Sequence, residues 1–140
     1  MSALACMDSA ALAYVASVEQ QVGREPQTEI TTQHTLHAGM YARTMKLPAG
    51  NRLVGALVQV ETIVIFEGDA DVFVGDSTIR LTGYHVIAAS AFRKQIYTAH
   101  TDCHITAIHA TDAKTVAEAE EEATQEHHRL SSRRAENKNI

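Results

Sequence analysis

The chain of 140 residues can form one hydrophobic core, which must consist mainly of Val, Ile, Leu and Ala because Trp is absent and 5% of residues are aromatic. The net charge of -5 comes without a basic stripe interleaved with aromatic residues, which argues against a nucleic-acid partner. No apolar run reaches the ~18 residues of a spanning helix, so no membrane partner is expected either.

An N-terminal helix is predicted between Asp8 and Gly23. Asp8 or Ser9 can cap its start, and Gly23 stands where the end of a helix favours glycine. Its apolar stripe recurs at three- and four-residue steps and consists of Leu12, Val15, Val18 and Val22. Such a stripe fits a helix lying on the body of its own chain or a contact with a neighbouring subunit, and both interpretations stay open.

After the polar linker "GREPQTE", short runs rich in β-forming residues begin at Leu36 and are separated by Gly, Pro and Asp. The predicted strands lie near residues 40–47, 52–59, 61–67, 70–75, 77–81, 84–88, 93–99 and 103–109. The breaks between them include "PAGN", "EGDAD", "GDS", "TGY" and "HTD". Eight closely spaced strands with turn residues between them are typical of a β-sandwich or a β-barrel.

The predicted strand at 61–67 is apolar on both faces from Ile63 to Phe66, whereas a barrel wall open to water should alternate. A second subunit or the N-terminal helix is therefore expected to cover its outer side, where we place Val64 and Phe66. The predicted interface residues are Leu12, Val15, Val18, Val64 and Phe66. This pattern predicts a homo-oligomer or docking onto a larger assembly.

A second helix is predicted over "VAEAEEEATQEHHRL", because the spacing of Thr115 and Glu118 forms a capping box. Its acidic residues are interpreted as a solvated face, and residues 131–140 are expected to be disordered. The predicted organisation is an N-terminal helix and linker at 1–34, a β-barrel at 35–110, and an acidic helix with a basic tail at 111–140.

Glu61 and Gly68 keep the spacing of the Glu and the strand-ending Gly in the first motif of metal-binding cupins, a family that this segment resembles. That motif also contains two histidines, and counting back from Glu61 gives their positions here. The candidate positions are Gly55 with Leu57, or Val54 with Ala56. None of these side chains can ligate a metal ion.

The second cupin motif maps onto "TGYHVIAASAFRKQIY", where Ala88 and Ser90 stand for the usual Pro and Gly. Arg93 takes the position of the last metal-binding histidine, and a guanidinium cannot lose the proton that ligation requires. The resemblance implies an all-β, cupin-type double-stranded β-helix barrel, or jelly roll, with an N-terminal and a C-terminal helix. It also implies that the family metal is not retained, and we expect no cofactor.

A second resemblance rests on "HAGMYARTMKLPAG", "LTGYHVIAAS" and "RKQ", followed by "AKTVAEAEEE" and "SRR". Over residues 35 to 135 the chain is similar to a family of small cupin-like proteins of tailed bacteriophages and proteobacterial prophages. This resemblance implies a cupin of undefined activity from a phage genome and does not imply a reaction.

Glu61 and Arg93 are both aimed at the barrel lumen in the cupin register, where a buried carboxylate needs a partner such as an arginine. We expect a structural ion pair that replaces the lost metal. The alternative is a ligand site in which Arg93 holds a carboxylate or phosphate, with Gln95, Tyr97 and His85 as neighbours.

Eight histidines raise the question of a metal site elsewhere. A zinc or iron site usually needs three or four convergent ligands, and the histidines near residues 100–109 cannot all converge from one hairpin. No metal site is therefore expected, and the least unlikely ligands are His37, His100 and His104.

The functional hypothesis is a non-catalytic, metal-free structural or accessory protein of a bacteriophage, which acts by assembling with itself or with virion proteins. The alternatives are a small-molecule-binding or isomerase-like cupin that uses Glu61, Arg93 and His85, and a metal-dependent enzyme with relocated histidines. Without an export signal, the expected location is the host cytoplasm or the virion, with Cys6 and Cys103 reduced.

Overall fold

The computed structural model describes residues 3–130, which form a barrel of eight strands with two α-helices. The strands are β1 (Ala3–Leu4), β2 (Thr31–His37), β3 (Met40–Leu47), β4 (Arg52–Val54), β5 (Thr62–Phe73), β6 (Thr78–Ala89), β7 (Ile96–Ala99) and β8 (Cys103–Ala110). The helices are α1 (Ser9–Gly23) and α2 (Val116–Ala123), and a short 3-10 helix follows at His127–Arg129. The predicted all-β fold is confirmed.

β5 connects the two layers of the barrel. The main sheet has the strand order β1-β6-β5-β8-β3-β2, and β7 pairs with both β4 and β5. The first half of β5 pairs with β8 between Ile63 and Glu67, and its second half pairs with β7 between Ala70 and Phe73. β5 therefore crosses from one layer to the other, which closes the barrel.

A pair of glycines lets β5 and β6 remain continuous where breaks were predicted at "EGDAD" and "TGY". Gly68 lies opposite Gly83 in the register, and both have positive φ angles, of 137° and 89°. A Cβ on Gly68 would lie 2.7 Å from the Cys103 Sγ, so glycine is needed there for close packing as well as for the bend. The predicted breaks at these two places were wrong.

The alternation of β5 sends its even-numbered residues into the core. Val64 and Phe66 are 3% and 0% exposed, whereas Ile63 is 49% exposed. The prediction that Val64 and Phe66 lie on the outer face was therefore wrong. Neighbouring residues of a strand point to opposite faces, and the outer face belongs to the odd-numbered residues such as Ile63. The inner residues form a core cluster with Leu4, Ile30, Leu47, Leu53, Ala70, Val72, Leu81, Ile87, Ala89, Tyr97, Ala99, Cys103 and Ile105.

The N-terminal segment belongs to the barrel and is not a separate unit. Strand β1 pairs in parallel with the end of β6, and Leu4 is 1% exposed. Strand β2 begins at Thr31, so the sheet starts before the predicted boundary at residue 35.

Helix α1 lies on the barrel of its own chain. The Asp8 side chain accepts a hydrogen bond from the Ala11 backbone N–H at 2.8 Å, which confirms the predicted N-cap. Its apolar stripe packs on β4 and β7, in a cluster of Met7, Ala11, Val15, Val18, Val22, Val54 and Ile96, with Leu12 partly buried against it. Leu12, Val15 and Val18 are thus used within the chain, and their prediction as a subunit interface is not supported by this packing.

Helix α2 is shorter than predicted. The Thr115 hydroxyl accepts from the Glu118 backbone N–H at 3.2 Å, as the capping-box spacing indicates. The helix ends at Ala123 because Thr124 is extended, and its hydroxyl accepts from the Glu126 backbone N–H. The predicted disorder of residues 131–140 concerns a segment outside the described residues.

Two further findings concern the described residues. Neither cysteine forms a disulfide, since Cys6 is exposed and Cys103 is buried among the strands. Between residues 3 and 130, no helix combines the length and the apolar character needed to cross a bilayer.

The docking of α1 predicts a loss of stability when its central contact is removed. Val15 is 0% exposed, so Val15→Ala removes two buried carbon groups and should lower the free energy of unfolding by about 2 kcal/mol. The exposed neighbour Gln20→Ala is the control, expected to stay within about 0.5 kcal/mol of wild type. Urea denaturation measures both. Equal stability of the two variants would contradict the docking of α1.

Candidate functional site

The barrel encloses a cavity of about 140 Å³. Its wall comes from β3, β5, β7 and β8, and one end is covered by residues 116–130, here called the C-terminal strap. The polar side chains that line it include Tyr41, Arg43, Thr62, Arg93, Gln95, Tyr97, His109 and Glu120. The apolar side chains include Met45, Val64, Ile105, Ala107 and Leu130. A polar cluster on an otherwise apolar wall is typical of a small-molecule site.

Arg93 is the buried cation of this cavity, at 2% exposure. Its two terminal nitrogens donate to the Ser90 carbonyl at 2.8 Å and to the Thr62 hydroxyl at 2.7 Å, and both acceptors are neutral. The Nε atom of Arg93 is buried and has no hydrogen-bond partner within the described chain. Burial lowers the pKa of Arg93, while its electrostatic interactions with Tyr97 and Glu61 act in the opposite direction.

Two more buried nitrogens of the cavity wall lack a hydrogen-bond partner among residues 3–130. They are Nε2 of Gln95 and Nε2 of His109, and both side chains belong to residues 6% exposed. Burial lowers the pKa of His109, against a smaller opposing effect of Glu122, so this ring is neutral at neutral pH. Buried polar atoms without partners are costly, and a ligand or water can supply the missing hydrogen-bond partners.

Tyr97 carries a neutral hydroxyl and lies on β7, two residues after Gln95. Burial raises the pKa of Tyr97 to about 12, although the charge of Arg93 opposes this rise. The phenol therefore stays protonated at neutral pH. Its ring stacks on Phe66 with centroids 6.3 Å apart, which fixes the side chain against the core.

A buried ion pair joins the barrel wall to the strap. The Arg43 Nη1 donates to the Glu120 Oε2 at 2.6 Å, with 10% and 4% of the two side chains exposed. Arg43 comes from β3 and Glu120 from α2, so this pair holds the strap over the cavity. The prediction that the acidic residues of this helix form a solvated face was wrong for Glu120.

A second charge network fastens the strap to α1. The buried Lys94 Nζ lies 3.0 Å from carboxylate oxygens of both Glu19 and Glu126, and Arg129 lies 3.0 Å from Glu19. Glu126 also accepts from the Leu57 backbone N–H at 2.7 Å. Burial alone would raise the pKa of Glu126, but these hydrogen bonds and nearby cations outweigh it and lower the pKa.

Three of the predicted ligand-binding residues meet at the cavity, and two do not. Arg93, Gln95 and Tyr97 line it together. Glu61 is exposed, because the lumen position next to Arg93 belongs to Thr62, and the predicted direct pair of Glu61 with Arg93 was wrong. His85 is half-buried outside the cavity wall, with its Nε2 2.9 Å from the Thr82 carbonyl oxygen.

The least unlikely metal ligands are scattered. His37 and His104 lie opposite the two ends of β3, at Met40 and Lys46, and His100 Nε2 lies 3.0 Å from Asp71. No group of three or more His, Cys, Asp or Glu side chains in the described part of the chain could hold a metal ion. The cavity is lined by three arginines and three glutamates, which are Arg43, Arg93, Arg129, Glu19, Glu120 and Glu126. The metal of the cupin family therefore does not fit these residues.

Several residues of the site were missed from the sequence: Arg43, Lys94, His109, Glu120 and Glu126. Arg43 could have been found, because strand alternation places it on the same face as Tyr41 and Leu47. No such signal exists for the acidic residues of the strap, because a buried glutamate in an acidic helix has the same local sequence pattern as an exposed glutamate. The assembled site offers buried nitrogens without hydrogen-bond partners in the described chain and the guanidinium of Arg93, which is hydrogen-bonded to neutral oxygens.

The Arg43–Glu120 pair should be strongly coupled because it is buried. Arg43→Met or Glu120→Gln alone should destabilise the protein by roughly 3–5 kcal/mol, and the double variant should recover part of that loss. Exposed Lys46 and Asp102 lie 3.7 Å apart and form the control pair, with Lys46 on the same strand as Arg43 and an expected coupling under about 1 kcal/mol. Urea denaturation of the single and double variants gives the coupling free energy of each pair. Equal coupling free energies for the two pairs would contradict the role of Arg43 and Glu120 in holding the strap.

Comparison with known proteins gives structural matches alone. No family model and no curated protein matches the sequence. A cupin superfamily protein from Desulfitobacterium hafniense matches with a TM-score of 0.51 at 13% identity, over 64% of this chain and 84% of that chain. A cupin-2 domain protein from Rhodospirillum rubrum matches with a TM-score of 0.52 at 12% identity, over 65% and 66% of the two chains.

At these identities the likeness concerns the fold and not the activity. The matches agree with the predicted cupin-type barrel, and they contain nothing about a phage or prophage family. The chain thus has a cupin-like barrel fold, with Arg93 where the last metal-binding histidine was expected and apolar residues at the candidate positions of the first two.

Proposed function

We propose that the protein binds a small anionic organic molecule in its barrel lumen without a metal ion. One observation carries the proposal: buried Arg93 is hydrogen-bonded to neutral oxygens, and its Nε has no partner in the described chain. A buried charge is stable when it is paired, so the geometry favours an anion beside this guanidinium. Gln95 and His109 add two buried nitrogens that also lack partners among the described residues.

The volume and the donors define the ligand class. A cavity of about 140 Å³ is close to the ~150 Å³ that holds benzene in an engineered apolar site. The apolar part of the wall, with Val64 and Ile105, suits a hydrocarbon body, while Arg93 and Gln95 suit a carboxylate. We infer a small monocarboxylic acid. Glu61 and His85 have no part in this function, unlike in the isomerase-like hypothesis.

Entry into the cavity involves the C-terminal strap. Glu120, Thr124 and Leu130 of the strap line the cavity, so a ligand enters when this segment moves. The Glu120 carboxylate already accepts a hydrogen bond from Arg43. Arg93 is therefore the cation that we expect an incoming acid to contact. The strap can exclude water after entry, which strengthens the charge interaction inside.

Calorimetric titration tests the proposal on protein treated with a chelator. Acetate, butyrate and benzoate span the range of sizes, and benzamide is the neutral counterpart of benzoate. We expect at least one acid to bind and benzamide to bind at least about 10-fold more weakly, because a hydrogen bond to a charged group contributes roughly 1.5–3 kcal/mol. Gln95→Leu and Arg93→Met should weaken binding by roughly 10- to 100-fold.

Arg80→Met is the matched control, because Arg80 is an exposed arginine bound to Asp69 outside the cavity. It should leave the affinity unchanged. If Arg93→Met does not fold, Gln95→Leu alone still tests the site. Absence of heat with all three acids, or equal affinity of Gln95→Leu and wild type, would refute the proposal.

The second candidate function is the structural or accessory role in a bacteriophage particle that was the functional hypothesis from the sequence. The observation that favours it is an exposed apolar surface, with Ile63 at 49%, Val86 at 62% and Tyr84 at 65% exposure. We expect the protein to co-sediment with purified particles of the phage that encodes it, as detected by mass spectrometry. Its absence from particles in which the known coat proteins are detected would contradict this candidate.

A further inference from the structure

One buried imidazole of the cavity wall has no part in the proposed contact with a carboxylate. His109 is the buried one of the eight histidines, all of which lie within residues 3–130. It lines the cavity at 6% exposure, and its Nε2 atom has no hydrogen-bond partner within the described chain. A buried nitrogen without a partner is costly, so we expect a group inside the cavity to contact it.

His109 lies close to the end of the cavity that holds Arg93. Strand β8 pairs antiparallel with β5, with Ile63 opposite Ile108, and the next position along this register places Thr62 beside His109. Both side chains are buried, and the Thr62 hydroxyl accepts a hydrogen bond from the Arg93 Nη2 at 2.7 Å. Opposite residues of an antiparallel pair have Cβ atoms about 5 Å apart. The unpartnered nitrogens of Arg93 and His109 therefore have Thr62 as their common neighbour.

The protein groups around His109 are engaged in other contacts. Tyr41 lies opposite His109 on β3, and its hydroxyl oxygen is 2.6 Å from the His34 Nδ1. The Tyr41 ring makes a T-shaped contact with the imidazole, with centroids 5.6 Å apart, which holds the plane of the imidazole. The Glu122 carboxylate, whose charge acts on His109, accepts from the Thr111 hydroxyl, with its two oxygens at 2.9 and 2.8 Å. The contact with Nε2 is thus left to a ligand or to water.

A plain hydrocarbon acid would leave this nitrogen of His109 without a partner. Its carboxylate would take the donors of Arg93 and Gln95, and its alkyl chain would displace any water from the imidazole. Displacing an ordered water by a group that cannot reproduce its hydrogen bonds lowers affinity. A polar atom on the hydrocarbon body of the ligand removes that cost.

The polar group that suits His109 is a hydroxyl. Burial lowers the pKa of His109, so at neutral pH the ring is neutral, and one of its nitrogens carries a proton while the other accepts one. A hydroxyl can donate or accept and so fits either tautomer, whereas a carbonyl oxygen fits one of them. A second carboxylate would need a second cation, which a neutral imidazole does not supply.

We propose that the lumen ligand is a small hydroxy acid, whose carboxylate contacts Arg93 and whose hydroxyl contacts Nε2 of His109. This inference rests on the proposed binding of a carboxylate and makes His109 the residue that determines which acid is preferred. Because Arg93 and His109 share Thr62 as a neighbour, the hydroxyl belongs on carbon 2 or carbon 3 of the acid. A four-carbon acid stays within the cavity of about 140 Å³, since a cavity of ~150 Å³ holds benzene.

Calorimetric titration of the full, chelator-treated chain with butyrate, 2-hydroxybutyrate and 3-hydroxybutyrate tests the hydroxyl contact. The three acids share their carbon chain and their charge. At least one hydroxy acid should bind wild type about 10-fold more tightly than butyrate, because its hydroxyl supplies the missing partner. In His109→Leu, which removes the ring nitrogens and keeps a side chain of similar size, this difference should fall below about 2-fold. Butyrate itself should bind this variant at least as tightly as wild type.

His104→Leu is the matched control, because His104 is an exposed histidine on the same strand, opposite Lys46 and Glu67. It should keep the full preference for the hydroxy acid. If thermal melting shows that His109→Leu does not fold, ¹⁵N NMR of wild type takes its place. The preferred hydroxy acid, and not butyrate, should then shift an imidazole nitrogen resonance of the buried histidine.

The outcomes separate this inference from the proposed function. Equal affinities of wild type for the three acids would overturn the hydroxyl contact and leave carboxylate binding intact. A preference that persists in His109→Leu, or ¹⁵N spectra that butyrate and the hydroxy acid change equally, would overturn it as well. Absence of binding by all three acids would instead overturn the proposed function, and this inference with it.

Discussion

The register of β5 is the constraint on which the rest of the structure depends. This strand pairs with β6, β8 and β7, so its alternation sets the inner and outer faces of both layers. Even-numbered residues point inward, which places Thr62 beside Arg93 and Phe66 against Tyr97. Odd-numbered residues point outward, which leaves Ile63 exposed. The lumen site and the exposed outer face of the sheet are therefore two consequences of one alternation, and a one-residue shift would exchange them.

The fold could be predicted from local patterns except where an effect depended on distant residues. The spacing of the apolar residues of α1 and the Asp8 cap were sufficient for that helix, because both are local. The continuity of β5 through Gly68 was not predictable, since a glycine before two aspartates and an alanine looks like a turn. It stays in the strand because Gly83 bends with it and Cys103 packs against it. The sequence was also ambiguous about which face of β5 points into the core, because a strand with apolar residues on both faces shows no alternation of apolar and polar residues.

The site was predictable to the extent that the cupin spacing gave the correct strand positions. Arg93, Gln95 and Tyr97 are every second residue of one segment, so an error in its register would have displaced all three. They line the cavity together. The carboxylate partner of the other buried arginine, Arg43, could not be predicted. Glu120 reaches Arg43 across 77 residues, and nothing in the local sequence separates it from its exposed acidic neighbours.

The two arginines of the lumen show how stability and binding are divided within one cavity. Arg43 is matched by the Glu120 carboxylate, so its charge is compensated inside the fold and the pair acts as a fastening for the strap. Arg93 is buried as deeply, yet its hydrogen bonds go to a carbonyl and a hydroxyl. The second arrangement holds a cation out of water without a hydrogen-bonded carboxylate, which costs stability. Proteins retain such costs where a function requires preorganised donors, and on this ground we place the proposed ligand beside Arg93 and not beside the paired Arg43.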